Sequence, residues 1–136
     1  MPYELLWEGA VVVKRFYGLV TNSEFMEPVI KIEADPRFDD LRFVINDLLY
    51  VEQISFDSRD VDELSAIDKA ASRSNPKLRI AVVTTAPELI ALARRYADSP
   101  MNVYPTRIFS TLAAARAWID EAGGPRQTTA RQVPGD

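Results

Sequence analysis

The sequence predicts an α/β fold, a mixed sheet that opens with an antiparallel hairpin and continues as alternating helices and parallel strands. Tyr3 to Glu8 and Ala10 to Tyr17 are β-rich runs with only the Glu8-Gly9 region between them, the pattern of a hairpin. From Leu41 onward, β-favouring runs alternate with amphipathic helical stretches, an order that yields parallel strands joined by right-handed crossovers. At 136 residues the chain has the size of one domain, able to bury roughly two-thirds of its unfolded surface without a disulfide or metal staple.

Each element has a local reason. In the second run, Val11, Val13 and Arg15 share one face, and Val12, Lys14 and Phe16 the other. Thr21 and Glu24 have the spacing of a capping box, so a helix is expected from there to about Ala34. Phe25, Val29 and Ile32 form its apolar stripe. Pro28 lacks a backbone donor and predicts a kink or a late start. The loop that follows holds Asp35, Asp39 and Asp40, which read as turn and capping residues, because the alternating oxygen ligands and glycine of a calcium loop are missing.

Leu41 to Leu48 reads as a central strand covered on both faces, with Asp47 near its C-terminal end. Asp57 or Ser58 caps a helix that extends to Asn75, where Pro76 stops it. Arg79 to Thr85 is the next strand, and Pro87 opens a helix through Ala97. Val103 to Phe109 is the last strand; Ser110 or Thr111 then caps a final helix that Gly123 ends. Residues 1–122 thus make one domain, and 123–136, poor in apolar side chains, are expected to form a disordered tail.

Composition removes most familiar chemistries. Without cysteine there is no disulfide, thiolate nucleophile or sulfur-ligated zinc. Without histidine the usual general base and commonest metal ligand are gone. The five glycines are scattered at Gly9, Gly18, Gly123, Gly124 and Gly135, so no glycine-rich phosphate loop is assembled. No cofactor and no metal site are therefore expected. A net charge of −4 gives no long-range attraction to nucleic acid or anionic membrane. No apolar run approaches the roughly 18 residues of a membrane helix, and the start has no leader pattern, so a cytoplasmic protein without membrane insertion is expected.

Several side chains are candidates for function. Asp68 shares a helical face with Val61, Leu64 and Ala71, and an inward carboxylate needs a partner. It is either ligand-facing or paired with a neighbouring element. Phe38, Tyr50 and Phe56 fall in connections, which makes them candidates for a pocket rim or a dimer contact. Asp47 with Asp68 would supply the acid and base of a carboxylate enzyme if the two groups met.

The stretches Ala34-Asp35-Pro36-Arg37-Phe38-Asp39-Asp40-Leu41-Arg42 and Asp68-Lys69-Ala70-Ala71-Ser72-Arg73-Ser74-Asn75-Pro76 are followed by Leu78 to Val83 and, later, by Arg107-Ile108-Phe109-Ser110-Thr111-Leu112. With these the chain resembles the stage-II-sporulation-protein-AA-like family, over roughly residues 3 to 119. That family belongs to the STAS-like domains of sulfate transporters and anti-sigma-factor antagonists. The resemblance implies a STAS-like fold and a strand-end aspartate, matched by Asp47. It also implies a phosphorylated serine at a helix start, matched by Ser58. In the family motif a small residue and a glycine follow that serine, whereas Arg59 and Asp60 stand here.

Three readings of function result. The first is a non-enzymatic regulatory or protein-interaction module. The second is a carrier or sensor of a small apolar or amphipathic ligand. The third is a carboxylate-dependent enzyme. The partner is a protein or a small molecule not identified by sequence, and a homodimer is compatible with each reading.

Overall fold

The computed structural model describes residues 2–123. Of the expected tail 123–136, Gly123 belongs to the last helix, and residues 124–136 lie outside the described residues. Five strands form one sheet in the order β1-β2-β3-β4-β5. β1 (Tyr3–Glu8) pairs antiparallel with β2 (Val11–Thr21), and Gly9, with φ +61, enters the left-handed region that the tight turn requires. β3 (Phe43–Ser55), β4 (Arg79–Val83) and β5 (Thr106–Phe109) then add in parallel. The predicted α/β class and mixed sheet are the observed ones.

Because successive parallel strands advance across the sheet in one direction, right-handed crossovers place every crossover helix on the same face. α1 (Asn22–Ala34), α2 (Ser58–Ala71) and α3 (Pro87–Asp98) accordingly pack there, through Val29 and Ile32, Val61 and Leu64, and Leu89 and Ala93. α4 (Leu112–Gly123) follows the last strand and returns over the opposite face, where Ala115 and Ile119 cover Val13, Phe43, Ile45, Ala81 and Val83. Trp118 adds an edge-on contact to Phe43.

Capping decides most boundaries. Thr21 and Glu24 form the expected box: the Glu24 amide donates to Thr21 Oγ1 at 3.3 Å and the Thr21 amide to Glu24 Oε1 at 3.0 Å. α1 begins on time and runs through a buried Pro28, so the late start is not observed. The cap of α2 is Asp57, which accepts from the amides of Arg59 and Asp60 while Asp60 accepts from the Asp57 amide. Ser58 is therefore the first helical residue and not the cap. Its neighbour has the carboxylate, a stronger acceptor for amide donors at a positive helix end. Thr111 caps α4 by accepting from the Ala114 amide at 3.1 Å.

Several boundaries differ from expectation. β2 and β3 continue as a two-stranded ribbon, pairing Tyr17 with Tyr50 through Thr21 with Ser55, beyond the last β3 to β4 pair at Asp47 and Val83. Gly18, at φ +62 beside a register shift, looks like a strand breaker in sequence but serves as a bulge. Polar residues Glu52 and Gln53 similarly hid the end of β3, whose outer face is exposed. β5 keeps only Thr106 to Phe109 of the run expected from Val103.

α2 ends at Ala71 because Asn75 is occupied elsewhere. Its buried Nδ2 donates to the carbonyls of Phe38 and Leu41 at 2.7 Å each, and its Oδ1 accepts from the Lys77 amide at 3.0 Å. Tyr104 in turn donates to the Asn75 carbonyl at 3.0 Å. One side chain thus ties the 3-10 turn Pro36–Asp40 to the entries of β3 and β4. Replacing Asn75 by Ala removes two hydrogen bonds to carbonyls that keep one other donor each, the Leu41 amide for Phe38 and Arg42 Nη1 for Leu41, and urea denaturation is expected to show a loss of about 1–3 kcal/mol, from roughly 0.5–1.5 per bond. A loss within about 0.5 kcal/mol, the range of ordinary surface changes, would contradict this role.

Candidate functional site

Lys14 sits on the inner face of β2 between Val12 and Phe16, both fully buried, and is itself 6% exposed. Strand register sets it beside Asn46 of β3. Three crossover helices close over this face, each with one polar side chain aimed inward: Glu33 from α1, Asp68 from α2 and Tyr96 from α3. These groups line one end of a half-open cavity of about 80 Å³, whose remaining wall is apolar, with Phe25, Phe56, Leu64 and Leu89 among its residues. A space of roughly 10–15 Å³ on this measure holds one water, so the cavity has room for several non-hydrogen atoms.

The polar end is a coupled network. Tyr96 donates from Oη to Asp68 Oδ2 at 2.6 Å, buried from solvent. Burial, followed by the nearby Asp68 charge, pushes the Tyr96 phenol up, so it remains a donor. Tyr104 is raised for the same reasons. Burial is also the largest cause raising the Glu33 carboxyl to about 8, followed by its side-chain hydrogen bond with Asp68; Lys14 opposes the shift. Burial lowers Lys14, against the pull of Asp68 and Glu33.

Two polar atoms remain uncommitted. Lys14 faces Asp68 and Glu33 but makes no hydrogen bond or close ion pair among the described residues. Asn46 Oδ1 is buried and has no hydrogen-bond partner. Both lie at the cavity, side by side across two strands.

The candidates from sequence divide. Asp68 is buried and faces inward as expected, and its partner is a tyrosine with a neighbouring acid. Phe56 also reaches the cavity, stacked on Phe25 at 4.5 Å between ring centroids. Phe38 is buried in the 3-10 turn and lines the inner wall, so it is no rim residue. Tyr50 belongs to β3 and not to a connection; it is 56% exposed and stacks on Tyr17 away from the cavity. Ser58 stands at the start of α2 behind its capping aspartate.

Asp47 is in the first half of β3 and not near its end. Its side chain points to the α4 face, where Arg15 Nε donates to Oδ2 at 2.8 Å. The Leu49 amide donates to Oδ1 at 3.2 Å. Strand alternation therefore puts Asp47 and Asp68 on opposite sides of the sheet, and they cannot act together as acid and base.

Sequence reasoning missed Lys14, Glu33, Asn46 and Tyr96 as one group. The signal was present in part: Lys14 alternates with Val12 and Phe16, and Glu33 follows Val29 by one helical turn. What linear spacing does not show is that three helices bring their polar residues to the same strand position.

An antiparallel strand leads four parallel ones, with three crossover helices on one face and a closing helix on the other, a fold seen in solved structures. The particular likeness is to the solved structure of the anti-sigma factor antagonist SpoIIAA in its unphosphorylated form, with a TM-score of 0.60 and 12% identity over 88% of this chain and 98% of that chain. No protein-family model matches the chain, and no curated protein does. The likeness is one of fold, which bears out the fold that the sequence resemblance implied.

Glu33 makes stability depend on pH with a definite sign. Its folded value, about 8, lies above its ordinary value of 4.5, so the folded state holds the extra proton between those limits. Stability from this group therefore falls as pH rises from about 4.5 to 8. Glu33→Gln should flatten that fall in urea titrations at pH 5, 6.5 and 8; curves that run parallel to the parent would contradict it.

Proposed function

We propose that the protein is a non-enzymatic binding module whose cavity receives a small amphipathic molecule, as a carrier or sensor. One observation supports this above the others: a half-open, largely apolar cavity ends in a buried lysine and a buried amide oxygen that protein groups leave uncommitted. A domain built only for stability gains little by keeping such groups, since burying a charge without close partners is costly. Ligand pockets combine an apolar lining with a few convergent polar groups, as here.

A regulatory role fits the same module. The SpoIIAA-like fold favours a domain that acts through a protein partner, and the exposed Tyr17 and Tyr50 pair on the β2–β3 ribbon is the surface for it. Within this reading Ser58 is a modification site only if phosphate is accommodated beside Asp57 and Asp60, which oppose it. A homodimer through the ribbon is one form such contact would take. The sequence basis for a cytoplasmic setting is joined by one structural fact: among the described residues no helix is long and apolar enough to cross a membrane.

Thermal-shift titration with small apolar and amphipathic probes such as toluene and phenol tests the cavity. A saturable shift is expected, reaching about 2.7 kcal/mol of stabilisation at a hundredfold excess over Kd. Ala93→Leu, which places extra carbons in the cavity wall, is expected to abolish it while the protein stays folded. Absence of any saturable shift in the parent would sink the proposal.

A further inference from the structure

The cavity's polar end also selects among head groups, an inference that rests on the cavity being a ligand site. Lys14 and Asn46 are register partners on adjacent parallel strands, with their side chains on the face toward α1, α2 and α3. Neighbouring strands lie roughly 4.8 Å apart. Register therefore sets the two side chains next to each other on the cavity wall, where one ligand atom can meet both. Lys14 has only donors to offer, and Asn46 Oδ1 only accepts. An atom that satisfies both must accept from one and donate to the other.

We propose that the ligand's head group is a hydroxyl, an alcohol or phenol whose oxygen accepts from Lys14 Nζ and whose O–H donates to Asn46 Oδ1, with its hydrocarbon body among Phe25, Phe56 and Leu64.

Charge counting disfavours an ionic head group. A carboxylate accepts from Lys14 but has no proton for Asn46, and it brings a further negative charge toward Asp68 and Glu33. An ammonium donates to Asn46 but sets a second cation against Lys14. A hydroxyl adds no charge beside Lys14 on β2, Glu33 on α1, Asp68 on α2, Tyr96 on α3, and Tyr104 before β5. The cavity of about 80 Å³ suits a body of roughly five to eight non-hydrogen atoms, at about 10–15 Å³ for each water-sized position. A site that leaves a buried polar group unpaired discriminates strongly against the analogue responsible.

Isothermal titration of the full chain at pH 7 with 1-hexanol, hexanoate and hexylamine tests this, since the three differ in head group but little in size. 1-Hexanol is expected to bind at least tenfold more tightly than either ion. Asn46→Leu, which removes the acceptor but keeps the bulk, is expected to cut the alcohol's affinity about tenfold and to leave its margin over hexanoate smaller. Lys14→Met should do the same if it folds; Asn46→Leu alone suffices if it does not. Hexanoate or hexylamine binding as tightly as the alcohol would overturn the hydroxyl assignment while leaving the cavity as a ligand site. No binding by any of the three, with no shift from toluene or phenol, would remove the cavity reading and the assignment together.

Discussion

A lysine ammonium buried between a sheet and three helices is the constraint around which the larger half of this molecule is arranged. Removing such a charge from water costs several kcal/mol even after relaxation, so the surroundings must answer it. They do so with one acidic side chain from each of α1 and α2 and a tyrosine from α3 that holds the second acid in place. No one helix supplies enough. The response depends on all three crossovers lying on one face, which follows from strands advancing in a single direction under right-handed connection. Topology and electrostatics are in this sense one problem: a different strand order would send a helix to the other side and leave Lys14 with one acid fewer.

The opposite face solves a similar problem in the ordinary way. Asp47 is as buried as any polar residue in the protein, yet Arg15 reaches it at 2.8 Å and the Leu49 amide adds another donor. Glu8 and Arg116 pair across the same side, tying the end of β1 to α4. That face is closed by Phe43, Phe109 and Trp118. Its charges are matched by direct contact, whereas those at the cavity are matched through space with two polar atoms left over. The contrast lies within one sheet.

The fold was legible because its signals are local. Val12, Lys14 and Phe16 alternate with Val11, Val13 and Arg15, the Thr21 and Glu24 box starts α1, and Pro87 opens α3. Boundaries failed where a residue's tertiary use overrode its local meaning, as with Gly18 in a bulge and Asn75 bonding backward to Phe38 and Leu41. The site was half legible. Asp68 was visible from helical phase alone, while its companions Glu33 and Tyr96 lie 35 and 28 residues away, and only the crossovers bring them together. Asp47 misled because its strand position was read without its face, which pairing with Arg15 fixes.

In the proposed role, Lys14 and Asn46 hold a ligand's polar end. A crystal structure of the protein soaked with 1-hexanol tests it most directly. The account predicts continuous density in the cavity, with an oxygen within hydrogen-bond reach of both Lys14 Nζ and Asn46 Oδ1 and the alkyl chain against Phe25 and Phe56. Lys14 drawn into a direct ion pair with Asp68, with the cavity closed and the alcohol confined to the surface, would contradict it.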